Sequence, residues 1–428
     1  MVTLCGTLLP NPVIIFEHES GRCRTANFNC CASFLTGLMR RARGCFFVFS
    51  LMSCLLIPGR AWGAFGLTTN SDNYAVDTGA GLVFKVRRTD NGVSTQSAGD
   101  LMSLVYNGVE YQDQSRGSQI NSGFDFLYGY TNLVSVSATV YGTNYIKITV
   151  VGGAPASGQG VLTHYYIARN GYPHIYMATS FTTEPDTLGL CRYIVRIPSN
   201  LLSNGPTPSD IRNNTGAIES SDIFGMADGT TRSKHYSNHR LMDWSYIGAT
   251  GTNVGVYIVR DNHEGDSGGP FYRSLLNQCG SDQEITYIVN YGEAQTEAFR
   301  TNILNGPYTL VFNGGGQPST NIDYSWIDAA GLNLTNWVSN TNRGAVSGTL
   351  AGVPTGFQPV VGFANANAQY WTVAATNVSY ITPLMIPGTY TATLYKQEFA
   401  VATASVVVTA NTTNTLNLTS TETTPTFI

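Results

Sequence analysis

Apolar and polar residues alternate with a period of two along much of this 428-residue chain. Residues 81–87 read Gly-Leu-Val-Phe-Lys-Val-Arg, residues 145–151 read Tyr-Ile-Lys-Ile-Thr-Val-Val, and residues 254–259 read Val-Gly-Val-Tyr-Ile-Val. This period places successive side chains on opposite faces of a strand. Glycine or asparagine turns separate such stretches, and no stretch carries apolar residues at sustained helical spacing. The pattern predicts an all-β protein in which sheets bury their apolar faces against each other.

The strand pattern changes near residue 340, which indicates two folded regions. Residues 64–336 are long enough and regular enough for one large antiparallel β-sandwich. Residues 340–418 carry shorter strands at the spacing of a small immunoglobulin-like or fibronectin-like sandwich. The strands expected there are Ala345–Leu350, Gln369–Val373, Tyr390–Tyr395 and Ala404–Thr409. We expect residues 419–428 to form a disordered tail.

Residues 39–63 have the features of a secretory signal peptide. Arginines at 40, 41 and 43 precede a 14-residue apolar run at 45–58, and Ala61 and Gly63 supply small residues for cleavage. The run is shorter than the roughly 20 apolar residues of a membrane-spanning helix. We therefore expect Met39 to be the true start, residues 1–38 to be an extra or mispredicted extension, and the mature protein to be secreted without a membrane anchor.

Cysteine content and charge fit a secreted protein that does not bind nucleic acid. Six of the eight cysteines precede residue 64, and the sequence leaves open whether Cys191 and Cys279 form a disulfide. Five Asn-x-Ser/Thr sites, at Asn213, Asn333, Asn377, Asn411 and Asn417, are compatible with glycosylation. A net charge of −4 argues against a nucleic-acid partner. We expect a monomer with no cofactor.

Two short motifs suggest chemistry that the rest of the chain does not support. Residues 265–271 spell Gly-Asp-Ser-Gly-Gly-Pro-Phe, the environment of the nucleophilic serine in chymotrypsin-like proteases, but no histidine of the chain has the matching context. A glycine-rich turn around Ser267 explains the same residues. The acidic segment 261–266 lacks the ligand spacing of an EF-hand loop, so a solvated turn is favoured over a metal site.

Charged residues make up only 12% of the chain, so their clustering is informative. Residues 230–240 place Lys234 between Arg232 and Arg240, and neighbouring cations would disfavour its protonated form and make it a candidate base. Arg192 and Arg196 lie four residues apart on a predicted strand and share one face. Two guanidinium groups on one face can bind carboxylates, although a pair of edge-strand arginines facing water fits equally well.

Several of these segments belong to a longer series of short motifs. In order they are Arg192–Arg196, Glu219–Asp222, Thr231–Lys234, Ser267–Phe271, Gln295–Glu297, Gly306–Tyr308, Ala368–Trp371 and Pro387–Tyr390. The series resembles fungal rhamnogalacturonan lyases of polysaccharide lyase family 4, over residues 64–418. The resemblance implies a galactose-mutarotase-like β-sandwich followed by a fibronectin-like domain. The family's usual third domain, a jelly roll, is expected to be absent.

The resemblance also implies an activity and a site. Family members cleave the rhamnose to galacturonic acid bond of rhamnogalacturonan I by β-elimination, which requires a neutralised uronate carboxylate, a base for the C5 proton and an acid for the leaving oxygen. On matching positions, Lys234 is the base, and Arg192 and Arg196 face the acidic sugars. The expected partner is therefore a pectic polysaccharide.

One position departs from the family pattern. The family's second catalytic residue is a histidine within Asn-x-Gly-His-x-Gln-Thr-Glu, whereas residues 290–297 read Asn-Tyr-Gly-Glu-Ala-Gln-Thr-Glu and place Glu293 there. Two family tyrosines correspond to Thr286 and Ile288. A carboxyl group delivers a proton only if burial raises its pKa, and Glu293 could instead pair with Lys234. The sequence therefore predicts a lyase with weakened or altered chemistry, or a carbohydrate-binding homologue without turnover.

Overall fold

The computed structural model describes residues 63–90, 96–121, 134–153, 160–182, 190–243, 245–260, 264–293, 295–353, 356–375 and 378–421. These residues belong to one unit of the chain, Arg60–Ile428. The N-terminal extension, the signal peptide up to residue 62, Asn377 and residues 422–428 lie outside the described residues. No helix within the described ranges is long and apolar enough to cross a membrane.

The first region is built from short antiparallel strands. They are β1 (Gly66–Thr69), β2 (Asn73–Asp77), β3 (Leu82–Arg87), β4 (Leu101–Tyr106), β5 (Val109–Glu110), β6 (Gln119–Asn121), β7 (Ser135–Tyr141), β8 (Tyr145–Gly153), β9 (Val161–Arg169), β10 (His174–Phe181), β11 (Cys191–Pro198), β12 (Gly216–Glu219), β13 (Ile223–Gly225), β14 (Thr231–Ser233), β15 (Tyr246–Gly251), β16 (Val254–Arg260), β17 (Leu275–Cys279), β18 (Asp282–Asn290) and β19 (Leu304–Asn313). Four 3-10 turns, at Thr207–Ser209, Lys234–Ser237, Gly269–Phe271 and Asn340–Asn342, and one helix, α1 (Trp326–Ala330), complete the described elements.

These strands form a large sandwich. A seven-stranded sheet, in the order β15-β16-β19-β10-β9-β8-β7, packs against a five-stranded sheet of β1 to β5 and a four-stranded sheet in the order β17-β18-β11-β6. A three-stranded sheet of β12, β13 and β14 lies apart from these layers. The period-two prediction is met in β8, whose Ile146, Ile148 and Val150 all point into the core between the sheets. The predicted all-β fold is confirmed.

The second face of the seven-stranded sheet is covered as well. Helix α1 and the segment after it pack Trp326, Ile327 and Leu332 against Tyr165 and Tyr176 of that sheet. The strand β16 is buried along its whole length as well, because Tyr257 and Val259 on its second face pack with Val311, Tyr246 and Ile322.

The second region is a smaller sandwich with its own core. Its strands are β20 (Ala345–Ala351), β21 (Pro359–Ala364), β22 (Gln369–Val373), β23 (Ser379–Ile381), β24 (Gly388–Lys396), β25 (Phe399–Val408), β26 (Thr413–Thr415) and β27 (Leu418–Thr419). A sheet in the order β22-β21-β24-β25 faces one built around β20, and Val346, Phe363 and Leu394 lie between them. Residues 419–421, which the sequence assigns to the tail, continue this pairing: the Thr421 amide donates to the Val401 carbonyl at 3.0 Å.

A buried ion pair joins the two sandwiches. Glu264 of the first region pairs with Arg343 at the start of the second, and the Tyr370 hydroxyl donates to the same carboxylate at 2.7 Å. The Gly269 amide also donates to Gln369 Oε1 at 3.1 Å. Because these contacts are buried, they hold the two sandwiches in contact along residues 264–271.

The structure answers the open question about the cysteines. Cys191 and Cys279 are both buried and both free. Cys191 pairs with Asn290 and Cys279 with Gln283, positions separated by about 23 Å along β18 at the rise of a strand. A disulfide requires Cα atoms within about 7 Å, so the two thiols cannot be joined in this fold. Of the five glycosylation sites, Asn213, Asn333, Asn411 and Asn417 are exposed.

Candidate active site

The candidate site begins on the outer face of the four-stranded sheet. Tyr193, Val195 and Ile197 of β11 point into the core, so the residues between them point outward. In register, Arg192 pairs with Ile288, Ile194 with Thr286, and Arg196 with Glu284 of β18. Both arginines therefore share the outer face.

Lys234 reaches this region from a hairpin. β13 and β14 are antiparallel with Ile223 opposite Ser233, so Asp222 and Lys234 stand opposite each other one position further along. Their side chains form an ion pair of 2.5 Å. The turn before Asp222 places Ser220 and Ser221 at φ of 44° and 59°, a left-handed conformation that serine rarely adopts. This strained turn carries Asp222 to its position opposite the lysine.

Asp222 interacts with several basic residues. The hydrogen bond from Lys234 lowers the pKa of the Asp222 carboxyl group, and electrostatic interactions with Lys234, His235 and Arg192 lower it further. The structure thus brings together Lys234 and Arg192, two of the residues predicted from the sequence, around a carboxylate for which the sequence gave no role.

Arg232 and Arg240, the neighbours expected for Lys234 from the sequence, bind other groups. Arg240 pairs with Asp243 at 2.7 Å and with Glu398 at 2.9 Å, and Arg232 donates to Thr230 and to the Thr231 carbonyl. The charged group that touches the Lys234 amine is instead the carboxylate of Asp222.

Arg196 occupies a different environment from Arg192. Its guanidinium is buried and donates to the Gly117 carbonyl at 2.6 Å and to Gln119 Oε1 at 3.1 Å, and it approaches Glu284 at 3.6 Å. Arg116 binds the same glutamate at 2.9 Å. In this structure Arg196 holds the β6–β11–β18 end of the outer face together.

Glu293 lies in the loop after β18 and is exposed. Among the described residues, its carboxylate makes no hydrogen bond or ion pair, and Lys234 pairs with Asp222 instead of Glu293. The same loop contacts the end of the Lys234–Ser237 turn, because Asn238 Nδ2 donates to the Tyr291 hydroxyl at 3.4 Å. Thr286 and Ile288 face outward, whereas Tyr287 is buried in the core and binds Asp266, so it does not replace the family tyrosines.

The two other motifs serve the structure. Ser267 is fully buried and accepts a hydrogen bond from the Thr296 hydroxyl at 2.9 Å. Residues 261–263 lie outside the described residues, and the rest of that acidic segment is divided, because Glu264 binds Arg343 and Asp266 binds Arg260. The part of the chain that the structure describes contains no group of three candidate metal ligands.

Sequence reasoning missed Asp222 and Glu284 as parts of the site. Asp222 could have been found from the register of the β13–β14 hairpin, whose turn carries the hairpin signal Asp228-Gly229, but the two strands have only three residues each and show no clear alternation of apolar and polar residues. Glu284 could have been found opposite Arg196 only if the pairing of two distant strands were known.

Comparisons with known proteins decide the family. The model of the rhamnogalacturonan lyase B N-terminal domain matches residues 65–333, more than half of the chain, and the model of polysaccharide lyase family 4 domain II matches residues 342–416. The chain belongs to polysaccharide lyase family 4. Rhamnogalacturonate lyase A of Emericella nidulans is 39% identical over 375 residues, which covers 86% of this chain and 66% of that relative. Rhamnogalacturonate lyase A of Aspergillus aculeatus is 38% identical with the same coverage. The chain thus spans slightly less than two thirds of the length of these family members.

Proposed function

We propose that the protein is a secreted, monomeric rhamnogalacturonan lyase that cleaves the rhamnose to galacturonic acid bond of rhamnogalacturonan I by β-elimination. Family membership supports the reaction class. The observation that carries the proposal is the cluster of Lys234, Asp222 and Arg192, in which Lys234 pairs with Asp222 and Arg192 of β11 lies within electrostatic range of the same carboxylate. The Lys234 and Asp222 side chains are 27% and 41% exposed, so a long acidic polymer can reach this ion pair.

The proposed reaction uses the charges of this cluster in sequence. Arg192 binds the uronate carboxylate, which neutralises its charge and makes the C5 hydrogen more acidic. The ammonium group of Lys234 leaves Asp222 and gives one proton to water, and the neutral amine then takes the C5 proton. The electron pair of the C5–H bond forms the C4–C5 double bond, and the C4–O bond breaks. The oxygen that leaves with rhamnose needs a proton, for which Glu293 is the proposed donor.

The test of this function is the formation of an unsaturated uronate, which absorbs ultraviolet light. Wild-type protein incubated with rhamnogalacturonan I should raise the absorbance steadily, and homogalacturonan should give no comparable signal. Failure of the absorbance to rise with rhamnogalacturonan I would remove the proposed activity.

A second function, binding of pectic polysaccharide without turnover, is favoured by two observations. Lys234 is held in an ion pair, and Glu293 is exposed and has no hydrogen bond or ion pair within the described ranges that would position it as a proton donor. Calorimetric titration with rhamnogalacturonan oligosaccharides separates the alternatives, because this candidate predicts saturable binding with flat absorbance.

Restoring the family histidine tests the role of Glu293. If proton donation limits the reaction, Glu293→His should raise turnover, because histidine titrates near neutral pH and an exposed carboxyl group is already ionised there. We expect an increase of about tenfold or more, measured as the initial rate of absorbance change. Glu297→His, in the same loop, is the matched control. No gain in Glu293→His would move the limitation to Thr286 and Ile288.

Removing the charge of Asp222 should change the rate at neutral pH. The hydrogen bond from Lys234 lowers the pKa of the Asp222 carboxyl group, so the carboxylate stays charged and paired with the amine at neutral pH. In Asp222→Asn the amine has no counter-charge to leave before it takes the C5 proton, so the initial rate should rise by about tenfold. Because Asp228→Asn removes an exposed carboxylate outside the cluster, it should leave the rate unchanged. An unchanged rate in Asp222→Asn would show that the ion pair does not limit the reaction.

A further inference from the structure

A polar cleft lies where the turn between β24 and β25 meets the first sandwich. It has a volume of about 390 Å³, and its lining residues are Arg240, Met242, Gln358, Gln397, Glu398 and Phe399. Gln397 has a φ of 56°, which forms the tight turn that presents Glu398 and Phe399 to solvent. The cleft therefore combines a cation of the first sandwich with an exposed aromatic ring of the second.

One segment of the chain leads from the candidate active site to this cleft. After Lys234 the chain follows the edge of β17: Ser237 donates to the Asn277 carbonyl, His239 bridges to Leu275, and the Leu241 amide donates to the Tyr272 carbonyl. This segment ends beside the Gly269–Phe271 turn, whose Phe271 packs edge-on against Tyr395 of the second sandwich at 5.1 Å. Arg240 is six positions after Lys234 in the sequence, so their Cα atoms lie no more than about 22 Å apart.

A carboxylate of a ligand can take the place of the carboxylates that now bind Arg240 at this cleft. Arg240 pairs with Glu398, whose side chain is 54% exposed, and with Asp243, whose side chain is 41% exposed. Exposed ion pairs contribute little free energy, since water solvates the separated ions well. A carboxylate from a bound polymer can therefore replace Glu398 at the Arg240 guanidinium at small cost.

The apolar side of the cleft fits the other half of the polymer repeat. Phe399 is 52% exposed, which is unusual for a phenylalanine that no other chain covers. Rhamnose is a deoxy sugar with a methyl group, and its apolar face can pack on an aromatic ring. An arginine beside an exposed phenylalanine thus matches a galacturonic acid followed by a rhamnose.

We infer that the cleft formed by Arg240 and Phe399 is a remote subsite that binds one acidic disaccharide repeat of a polymer already seated at Lys234. The inference rests on the proposed function for the identity of its ligand. It gives the second sandwich a direct part in substrate binding, and it predicts that long chains bind more tightly than short ones.

Two substitutions that break the same ion pair should have opposite effects. Arg240→Ala removes the cation, so the dissociation constant for a rhamnogalacturonan dodecasaccharide should rise about three- to tenfold. Glu398→Gln removes the competing carboxylate, so the same constant should fall. A purely structural role for the pair predicts weaker binding in both variants, which would overturn the inference. Calorimetry on Lys234→Arg protein, which should not cleave the ligand, gives these constants.

Chain length provides the second readout. A disaccharide is a single repeat and fills only one of the two sites, so its affinity for the Lys234 site should be unchanged in Arg240→Ala and in Phe399→Ala, whereas the dodecasaccharide loses affinity in both. Val407→Ala, at another exposed apolar position of β25, is the matched control for Phe399→Ala. Equal effects on both ligands would remove the subsite and leave the lyase proposal intact. If wild-type protein neither binds nor cleaves either oligosaccharide, the proposed function itself fails.

Discussion

Lys234→Arg should abolish turnover while leaving polysaccharide binding in place. Arginine keeps the positive charge that pairs with Asp222, but a guanidinium does not lose its proton in the accessible pH range and cannot serve as a base. The initial rate should fall by about 10²- to 10⁴-fold, the usual contribution of a general base. Lys234→Ala should lose turnover to the same extent and also weaken binding, because it removes the charge.

Lys85→Ala is the control for this experiment, because Lys85 lies on β3 in the five-stranded sheet, away from the candidate site. Its rate and binding should equal those of the wild type. If Lys234→Arg cleaves rhamnogalacturonan I at the wild-type rate, the amine is not the base, and a different group must take the C5 proton.

The largest expected effect on stability comes from the buried pair of Arg260 and Asp266. Both side chains are 1% exposed, and Tyr287 donates a further hydrogen bond to Asp266 at 3.0 Å. Asp266→Ala leaves a guanidinium in the core without its counter-charge, so the free energy of unfolding should fall by about 3–5 kcal/mol. Urea unfolding followed by tyrosine and tryptophan fluorescence measures the change as a lower midpoint.

The surface pair of Arg169 and Asp323 supplies the matched comparison. Its atoms are 3.4 Å apart and the Asp323 side chain is 61% exposed. Asp323→Ala should therefore change the free energy of unfolding by no more than about 1 kcal/mol. Should Asp266→Ala cost as little as Asp323→Ala, the buried pair does not stabilise the first sandwich in the way its burial implies. A variant too unstable to purify can be replaced by Asp266→Asn, which keeps an acceptor for Tyr287 and should still lower the midpoint.

The fold could largely be predicted from the period-two pattern, for reasons visible in single strands. β8 shows its alternation in the sequence because one face is buried and the other is partly exposed. β16 is buried on both faces, and only the path of residues 321–334 across the sheet explains this. β21 was missed because it begins at Pro359 and contains Gly362, residues that usually mark turns, although proline is tolerated at the first position of a strand.

The candidate site was predicted only in part. Residue spacing predicts on which face of a strand a side chain lies, but it does not predict which other residues pack over that face. The interval of four residues put Arg192 and Arg196 on one face, and the structure agrees. The spacing could not reveal that the guanidinium of Arg196 is bound by Gly117 and Gln119 and approached by Glu284. Likewise, the crowding of Lys234 by sequence neighbours was misleading, since a hairpin brings Asp222 to the amine from twelve residues away.

The chemical nature of the new chain ends after incubation with rhamnogalacturonan I shows most directly whether the protein cleaves by β-elimination. β-Elimination leaves an unsaturated uronate at the non-reducing end, and this fragment is lighter by one water molecule than the product of hydrolysis. Mass spectrometry of the fragments should show the unsaturated ends with wild-type protein and their loss in Lys234→Arg. Saturated ends, or a polymer that remains intact with wild-type protein, would contradict the proposal that Lys234 takes the C5 proton.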